Sequence, residues 1–388
     1  MPSVGRWPAV MVIAALCAGT ACTSDRTVEP RPSGDRTSVA ADARDRQALG
    51  RRIEEYLDRS YSLALRDRRA LIVSVGGVPV VERYYGDSNA SATADVRSVT
   101  KSVVGTLVGV ALAEGRLRSL DASLGELLPE HRASMSDSVA AVTLRQVLTM
   151  TAGLPPDELG GKPARTLAGS DWVTNVLRHG RGSAPVGHFA YASVGSHLLA
   201  AILERATGES VLAYGRPRLF DPLGIDTRPA FEPHVDGSGY LPAWAGRQYE
   251  SAGFAWPRDP RGVQLGFGGL KLTARQMTAL GELYLNGGQW KARQLLPASW
   301  VRDATRVQVS TGLGQTPGYG YQWWTCAAGD HAGYAAIGYG GQLVEVVPAL
   351  RLVVAVSTTV KEDSPTVDVG AYLALVDDVI APMVQGRR

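Results

Sequence analysis

The chain has 388 residues, 45% of them hydrophobic and 20% charged, which is enough apolar material to bury a core and excludes a mostly disordered protein. Its formal net charge of +3, spread evenly, is too small a surplus for a nucleic-acid binder. Three cysteines cannot build a disulfide scaffold or a four-thiolate zinc site, and none of the six histidines has paired-ligand spacing, so no metal or other cofactor is expected.

Residues 1–22 read as an export signal. Arg6 gives a positive start, and the run from Trp7 to Ala21 is uncharged and mostly apolar. That run is short for a membrane span, which takes about 20 residues. Small residues Ala18-Gly19-Thr20-Ala21 then precede Cys22, a pattern that resembles a bacterial lipobox with Gly19 where Leu is usual. Two fates are open: lipidation at Cys22 with attachment to the membrane, or cleavage and release. Both place the protein outside the cytoplasm. Residues 23–45 are polar, carry Pro30 and Pro32, and read as a flexible tether to one domain over 46–388.

Helical spacing at Leu49, Ile53, Tyr56 and Leu57 predicts a helix over 46–65. Residues 70–75 and 78–85, joined by Gly76-Gly77, predict a β-hairpin. The stretch 96–112 is apolar nearly all round and stops at Gly115, so it predicts a central buried helix. Further helices are expected over 142–149 and 198–207. Residues 228–266, rich in Pro, Gly and Arg, show little periodicity and read as a functional rim. In it Tyr240, Trp244, Tyr249 and Trp256 either wall a pocket or pack the loop down. A helix over 273–285 follows, then strands over 319–325, 334–337, 342–347 and 352–357, and a C-terminal helix over 370–383. Strands at both chain ends and helices between them predict an α+β fold. Its antiparallel sheet is built from both termini, with flanking helices and an inserted, mostly helical region.

Ser98-Val-Thr-Lys101 opens the buried helix, and positions three apart share a helix face. A serine hydroxyl needs a base before it can attack a carbonyl, and burial lowers a lysine pKa toward that task. The helix N-terminus also aims backbone N–H groups at a developing oxyanion. With only five lysines among 40 basic residues, a lysine at this spacing is less readily chance. The plain alternative is a capping serine beside a solvated lysine.

Arg97-Ser-Val-Thr-Lys-Ser-Val-Val-Gly105 resembles the S-x-x-K element of the penicillin-recognising serine hydrolases. These include class C β-lactamases, D-Ala-D-Ala carboxypeptidases and related esterases. Tyr191-Ala-Ser193 resembles the family's Y-x-N, with Ser193 in place of Asn, and Tyr339-Gly340-Gly341 before Gln342 stands where K-T-G is usual. Residues 142–154, 221–225, 268–275 and 319–324 are similar to other family segments, so the resemblance runs from about residue 71 to 383 in the expected order. It implies a β-lactamase/transpeptidase-like fold. It also implies Ser98 as nucleophile, Lys101 as base, Tyr191 as proton relay, and the N–H groups of Ser98 and Gln342 as oxyanion hole. Tyr339, Gly340 and Gly341 would meet the substrate, and Ser193 would hydrogen-bond Lys101 or the substrate, the plain alternative being a loop serine bonded to backbone.

Tyr339 and Gly340 bring neither the cation nor the hydroxyl that favours a carboxylate ligand. Gln322-Trp-Trp-Thr-Cys326 and Ala336-Ile-Gly338 are closer to the esterase and 6-aminohexanoate-dimer hydrolase branch. The expectation is a serine hydrolase acting on a small ester, amide or peptide through an acyl-enzyme. The rivals are a β-lactamase or carboxypeptidase, and a catalytically silent cell-wall binding module. The sequence does not fix the oligomeric state.

Overall fold

In the computed structural model the first and last strands of the domain lie side by side. An eight-stranded antiparallel sheet runs in the order Val78–Tyr84, Arg68–Val75, Leu352–Thr358, Gln342–Val347, His331–Gly338, Trp324–Ala328, Gly318–Tyr319, Val309–Ser310. Val75 pairs with Leu352 and Arg68 with Thr358, so the N-terminal hairpin is sewn to the C-terminal strand. The described residues are 36–60, 65, 67–157, 166–182, 184–239, 241–359 and 370–386. The expected signal, Cys22 and most of the expected tether lie outside them.

The two faces of the central strands divide the core with period two. Val344, Val346, Val353 and Ala355 join the side chains of the helical region, among them Val103, Val104 and Leu107. Leu343, Val347, Leu352, Val354 and Val356 meet Leu49, Ile53 and Leu57 from the N-terminal helix and Tyr372, Val376 and Ile380 near the C-terminus. A strand covered on both faces reads as a continuous apolar run, as Leu352–Val356 does.

Several boundaries differ from expectation. The N-terminal helix spans Arg36–Arg59, so it begins inside the segment read as a tether and ends before residue 65. Ala40, Ala41 and Ala43 are strong helix formers, and propensity outweighs the missing apolar stripe there. The central helix spans Val99–Ala113, because residues 96–98 form a turn that sets up its start. The later helix starts at Ser193, not 198, which carries Ser193 into its first turn instead of a loop. The expected strand over 319–325 is broken into Gly318–Tyr319 and Trp324–Ala328, because Gln322 takes φ 63 and turns its side chain into the core.

The rim over 228–266 has more structure than its composition suggested. It holds a helix, Ala243–Ser251, and parallel bridges Phe231–Ala255 and His234–Arg258. Trp256 is buried and donates to Leu265 O at 2.9 Å, and buried Tyr249 donates to Gly269 O at 2.9 Å. These two pack the loop down, whereas Trp244 is 61% exposed. Tyr240 lies outside the described residues.

Candidate active site

The site is built around a tight turn. A short strand, Thr93–Asp95, pairs with Lys271–Thr273, and Val96 donates to Leu270 O at 2.9 Å. Arg97 then adopts φ 50, with its N–H donating to Asp95 Oδ1 at 2.8 Å. A left-handed non-glycine residue costs on the order of 1 kcal/mol or more and persists where its surroundings fix it. Gly338 supplies that constraint: a Cβ there would lie 2.4 Å from Val96 O and 3.2 Å from Arg97 Cβ. Only glycine lets the end of the His331–Gly338 strand press against this turn.

Ser98 caps the helix with φ −72 and ψ −4, but its side chain makes no capping bond. Its hydroxyl is therefore left for other partners, against the plain reading of the motif. Lys101 is 1% exposed, so it is not a solvated lysine either. Its Nζ lies 2.9 Å from Ser98 Oγ, 2.9 Å from Ser193 Oγ and 3.4 Å from Phe267 O. Burial pushes its pKa down to about 8, with the Asp157 charge pulling the other way. That is roughly 3 kcal/mol against the charged form, enough to make a neutral amine accessible near neutral pH.

Burial raises the Tyr191 pKa well above the ordinary value, with the nearby Ser98 hydroxyl opposing, so the phenol stays protonated. Its ring face lies toward Lys101, with Nζ 4.8 Å from the centroid. Tyr191 stacks on half-buried Trp324 at 5.3 Å and 22°, and Phe189 meets Trp324 edge-on at 5.6 Å. The break at Gln322 makes this wall possible, because it lets Trp323 point into the core while Trp324 faces the site.

Ser98, Lys101, Tyr191 and Ser193 thus lie together. Tyr339, Gly340 and Gly341 do not lie within a strand. They form the hairpin turn between His331–Gly338 and Gln342–Val347, closed by Gly341 N–H to Gly338 O at 3.3 Å. Gly340 at φ 85 and Gly341 at φ 96 occupy backbone space that L side chains avoid, which explains the two glycines. Gln342 follows directly and spends its buried side chain on Thr358, with Nε2 donating to Thr358 Oγ1 at 2.7 Å.

Asp157 escaped the sequence reading. Its Oδ1 accepts from Ser193 N–H at 2.7 Å and its Oδ2 from the Ser193 hydroxyl at 2.6 Å. Its own N–H donates to Tyr191 O at 2.8 Å. The available signal was Leu154-Pro-Pro-Asp157, which directly follows the family-like stretch ending at residue 154. His197 belongs to a separate buried pair, its Nε2 3.1 Å from Asp259 Oδ2. Among the described residues no group of three or more His, Cys, Asp or Glu side chains could hold a metal ion.

A hydroxyl with an amine and a phenol in reach, at a helix N-terminus, is equipment for acyl transfer. Comparison with known proteins agrees. The 6-aminohexanoate-dimer hydrolase of Paenarthrobacter ureafaciens is 27% identical over 267 residues, covering 63% of this chain and 60% of that one. Esterase EstB of Burkholderia gladioli is 32% identical over 196 residues, covering 44% and 49%. The chain therefore spans between about half and three fifths of these relatives' lengths. Among solved structures, a penicillin-binding protein homologue from Caulobacter crescentus superposes with a TM-score of 0.63 at 19% identity, covering 87% of this chain and 97% of that one. This likeness shows the shared β-lactamase/transpeptidase-like α+β fold. The Beta-lactamase family model matches residues 64–377, and the chain belongs to that family of serine hydrolases.

Proposed function

We propose that the protein is an exported enzyme that cleaves ester or linear amide bonds through an acyl-enzyme at Ser98. The observation that carries this reading is the placement of Ser98 Oγ 2.9 Å from a buried amine whose pKa is pushed down to about 8. Lys101 takes the Ser98 proton as the oxygen attacks the carbonyl. The N–H groups of Ser98 and Gln342 receive the oxyanion. Tyr191, neutral and close to Ser98, passes a proton to the leaving group, and the same groups then activate water for deacylation.

Three features support esters or linear amides over β-lactams. Tyr339 and Gly340 supply no cation for a substrate carboxylate. The wall beside Tyr191 is aromatic, from Trp324 and Phe189. The two curated relatives bear the names of a 6-aminohexanoate-dimer hydrolase and an esterase. A silent binding module would leave the hydroxyl, amine and phenol without a task. Export rests on residues 1–22, with the tether and Cys22 supporting a protein held at or released from the membrane.

The test is intact-mass spectrometry after exposure to p-nitrophenyl esters, linear amides and nitrocefin. An acyl adduct that vanishes in Ser98→Ala, with faster turnover of ester or amide than of nitrocefin, is expected. Nitrocefin as the fastest substrate would replace this reading with the β-lactamase one. Turnover that survives Ser98→Ala would remove the mechanism. The N-terminus of protein recovered from its source cells checks export, which fails if Met1 is retained.

A further inference from the structure

Lys101 as a neutral amine has two N–H bonds and one lone pair, and the reaction works only if the lone pair faces Ser98. Three oxygens surround Nζ, so something must decide which of them meets the lone pair. Phe267 O, at 3.4 Å, is a carbonyl and can only accept. Ser98 and Ser193 are both hydroxyls, both 2.9 Å away, and either could donate. An amine that spent its lone pair on Ser193 would be useless as a base for Ser98.

The carboxylate of Asp157 breaks this tie. It is acceptor-only, and it takes both hydrogens that Ser193 offers, the backbone N–H at 2.7 Å and the hydroxyl at 2.6 Å. Ser193 Oγ then has only lone pairs to show Lys101. Ser193 and Phe267 consume the two amine hydrogens, and Ser98 is the neighbour left for the lone pair.

We propose that Asp157 is a positioning residue for the hydrolytic reaction, acting through the Ser193 hydroxyl to point the lone pair of Lys101 at Ser98. The inference rests on the reading of Lys101 as the base. In the step itself the Ser98 O–H bond breaks, a third N–H bond forms on Lys101, and the freed electron pair of Oγ attacks the carbonyl. The resulting ammonium then donates to all three oxygens. Asp157, one hydroxyl away, balances its charge. The titratable groups facing Lys101 are Asp157 and Tyr191, with Tyr319 behind Tyr191; the Phe267 segment contributes a carbonyl and a ring face.

Asp157→Asn tests this because an amide has only one acceptor atom. Its oxygen keeps the fixed Ser193 N–H, and its NH2 then donates to Ser193 Oγ. The hydroxyl hydrogen swings to Lys101 and occupies the lone pair. The experiment is the pH dependence of p-nitrophenyl ester hydrolysis in the full chain. It compares wild type, Asp157→Asn, Ser193→Ala and the double variant.

Asp157→Asn is expected to lose about 10²-fold in kcat, as a misdirected base does. Its acid limb moves to lower pH, because the anion that favours the ammonium is gone. The double variant regains about 10-fold over Asp157→Asn, since the misdirecting hydroxyl is removed. An acid limb that coincides with wild type, or losses that multiply across the two sites, overturns the proposal. Should Asp157→Asn fail to fold, Asp157→Ala replaces it, and the lowered acid limb is required there too. Wild type that neither hydrolyses the ester nor labels at Ser98 with a fluorophosphonate overturns the catalytic reading instead. A working wild type with an unmoved Asp157→Asn profile overturns only the role of Asp157.

Discussion

Lys101 and Glu345 are both buried, and burial pushes the amine down and the carboxyl up to the same pKa of about 8. Lys101 packs on the helical side of the sheet, among Ser98, Ser193, Phe267 O and the face of Tyr191. Glu345 lies on the Gln342–Val347 strand and points with Leu343 and Val347 to the opposite, apolar layer. Among the described residues its hydrogen-bond partner is the Cys326 thiol, whose Sγ donates to Oε1 at 3.5 Å, and its Oε2 has none there. Desolvation is the largest influence on both groups. The thiol beside Glu345 is itself buried and held well above its ordinary pKa, whereas Lys101 sits beside a hydroxyl within a polar array that settles where its proton goes. A perturbed pKa marks a place to look, and the neighbours decide whether it is a site.

The most direct way to break this contrast is to remove the amine. Lys101→Met keeps the packing of the helix and deletes the proposed base, so kcat should fall by about 10³-fold or more with KM little changed. In wild type, kcat/KM should rise about tenfold per pH unit and level off above pH about 8, because burial lowers the lysine to that value and only the neutral amine serves. Steady-state kinetics across pH 5 to 10 measures both. A loss under tenfold would put Lys101 in the same class as Glu345, a buried group without a task.

Tyr191→Phe sharpens the comparison with a smaller effect. It keeps the ring that stacks on Trp324 and faces Lys101, and removes only the hydroxyl near Ser98. A proton relay contributes about 10²-fold, so kcat should drop by that amount while KM holds. The loss should be larger for an amide than for an activated ester, whose leaving group needs no proton. Equal losses on the two substrates would reduce the phenol to a structural partner of Ser98.

How much of this the sequence disclosed follows from the range of each signal. The hairpin over 70–85, the buried helix and the late strands carry their pattern within a dozen residues, so periodicity found them. Ser98 and Lys101 share one helical turn, so their spacing drew attention to them, whereas Tyr191 and Ser193 were singled out only by resemblance to the family's Y-x-N. Asp157 is 36 residues from Ser193, and nothing periodic links them. The two-residue strands Val309–Ser310 and Gly318–Tyr319 are too short for any pattern, and sheet geometry alone recruits them. The left-handed Arg97 and Gln322 were illegible because neither is a residue type that prefers φ above zero. Both are held there by tertiary contacts, which a linear reading does not contain.

Glu345 offers the mildest test and the cleanest sign. Its pKa rises from 4.5 unfolded to about 8 folded, driven by burial, with the Cys326 hydrogen bond opposing and the Asp377 charge adding. A carboxyl raised on folding contributes fully below pH 4.5, and that stability drains away as pH climbs through 8. Glu345→Gln is uncharged at every pH and keeps the volume. It should therefore match wild type near pH 4.5 and melt higher at pH 8, by about 2 °C or more. Its kcat should stay within twofold of wild type at pH 8, because the far face of the sheet holds no reacting atom. Thermal melts at the two pH values read the first effect and ester hydrolysis the second. A melt that lags wild type at pH 8 would mean the ionised carboxylate has a partner in that layer and that the two sides of the sheet handle buried charge alike.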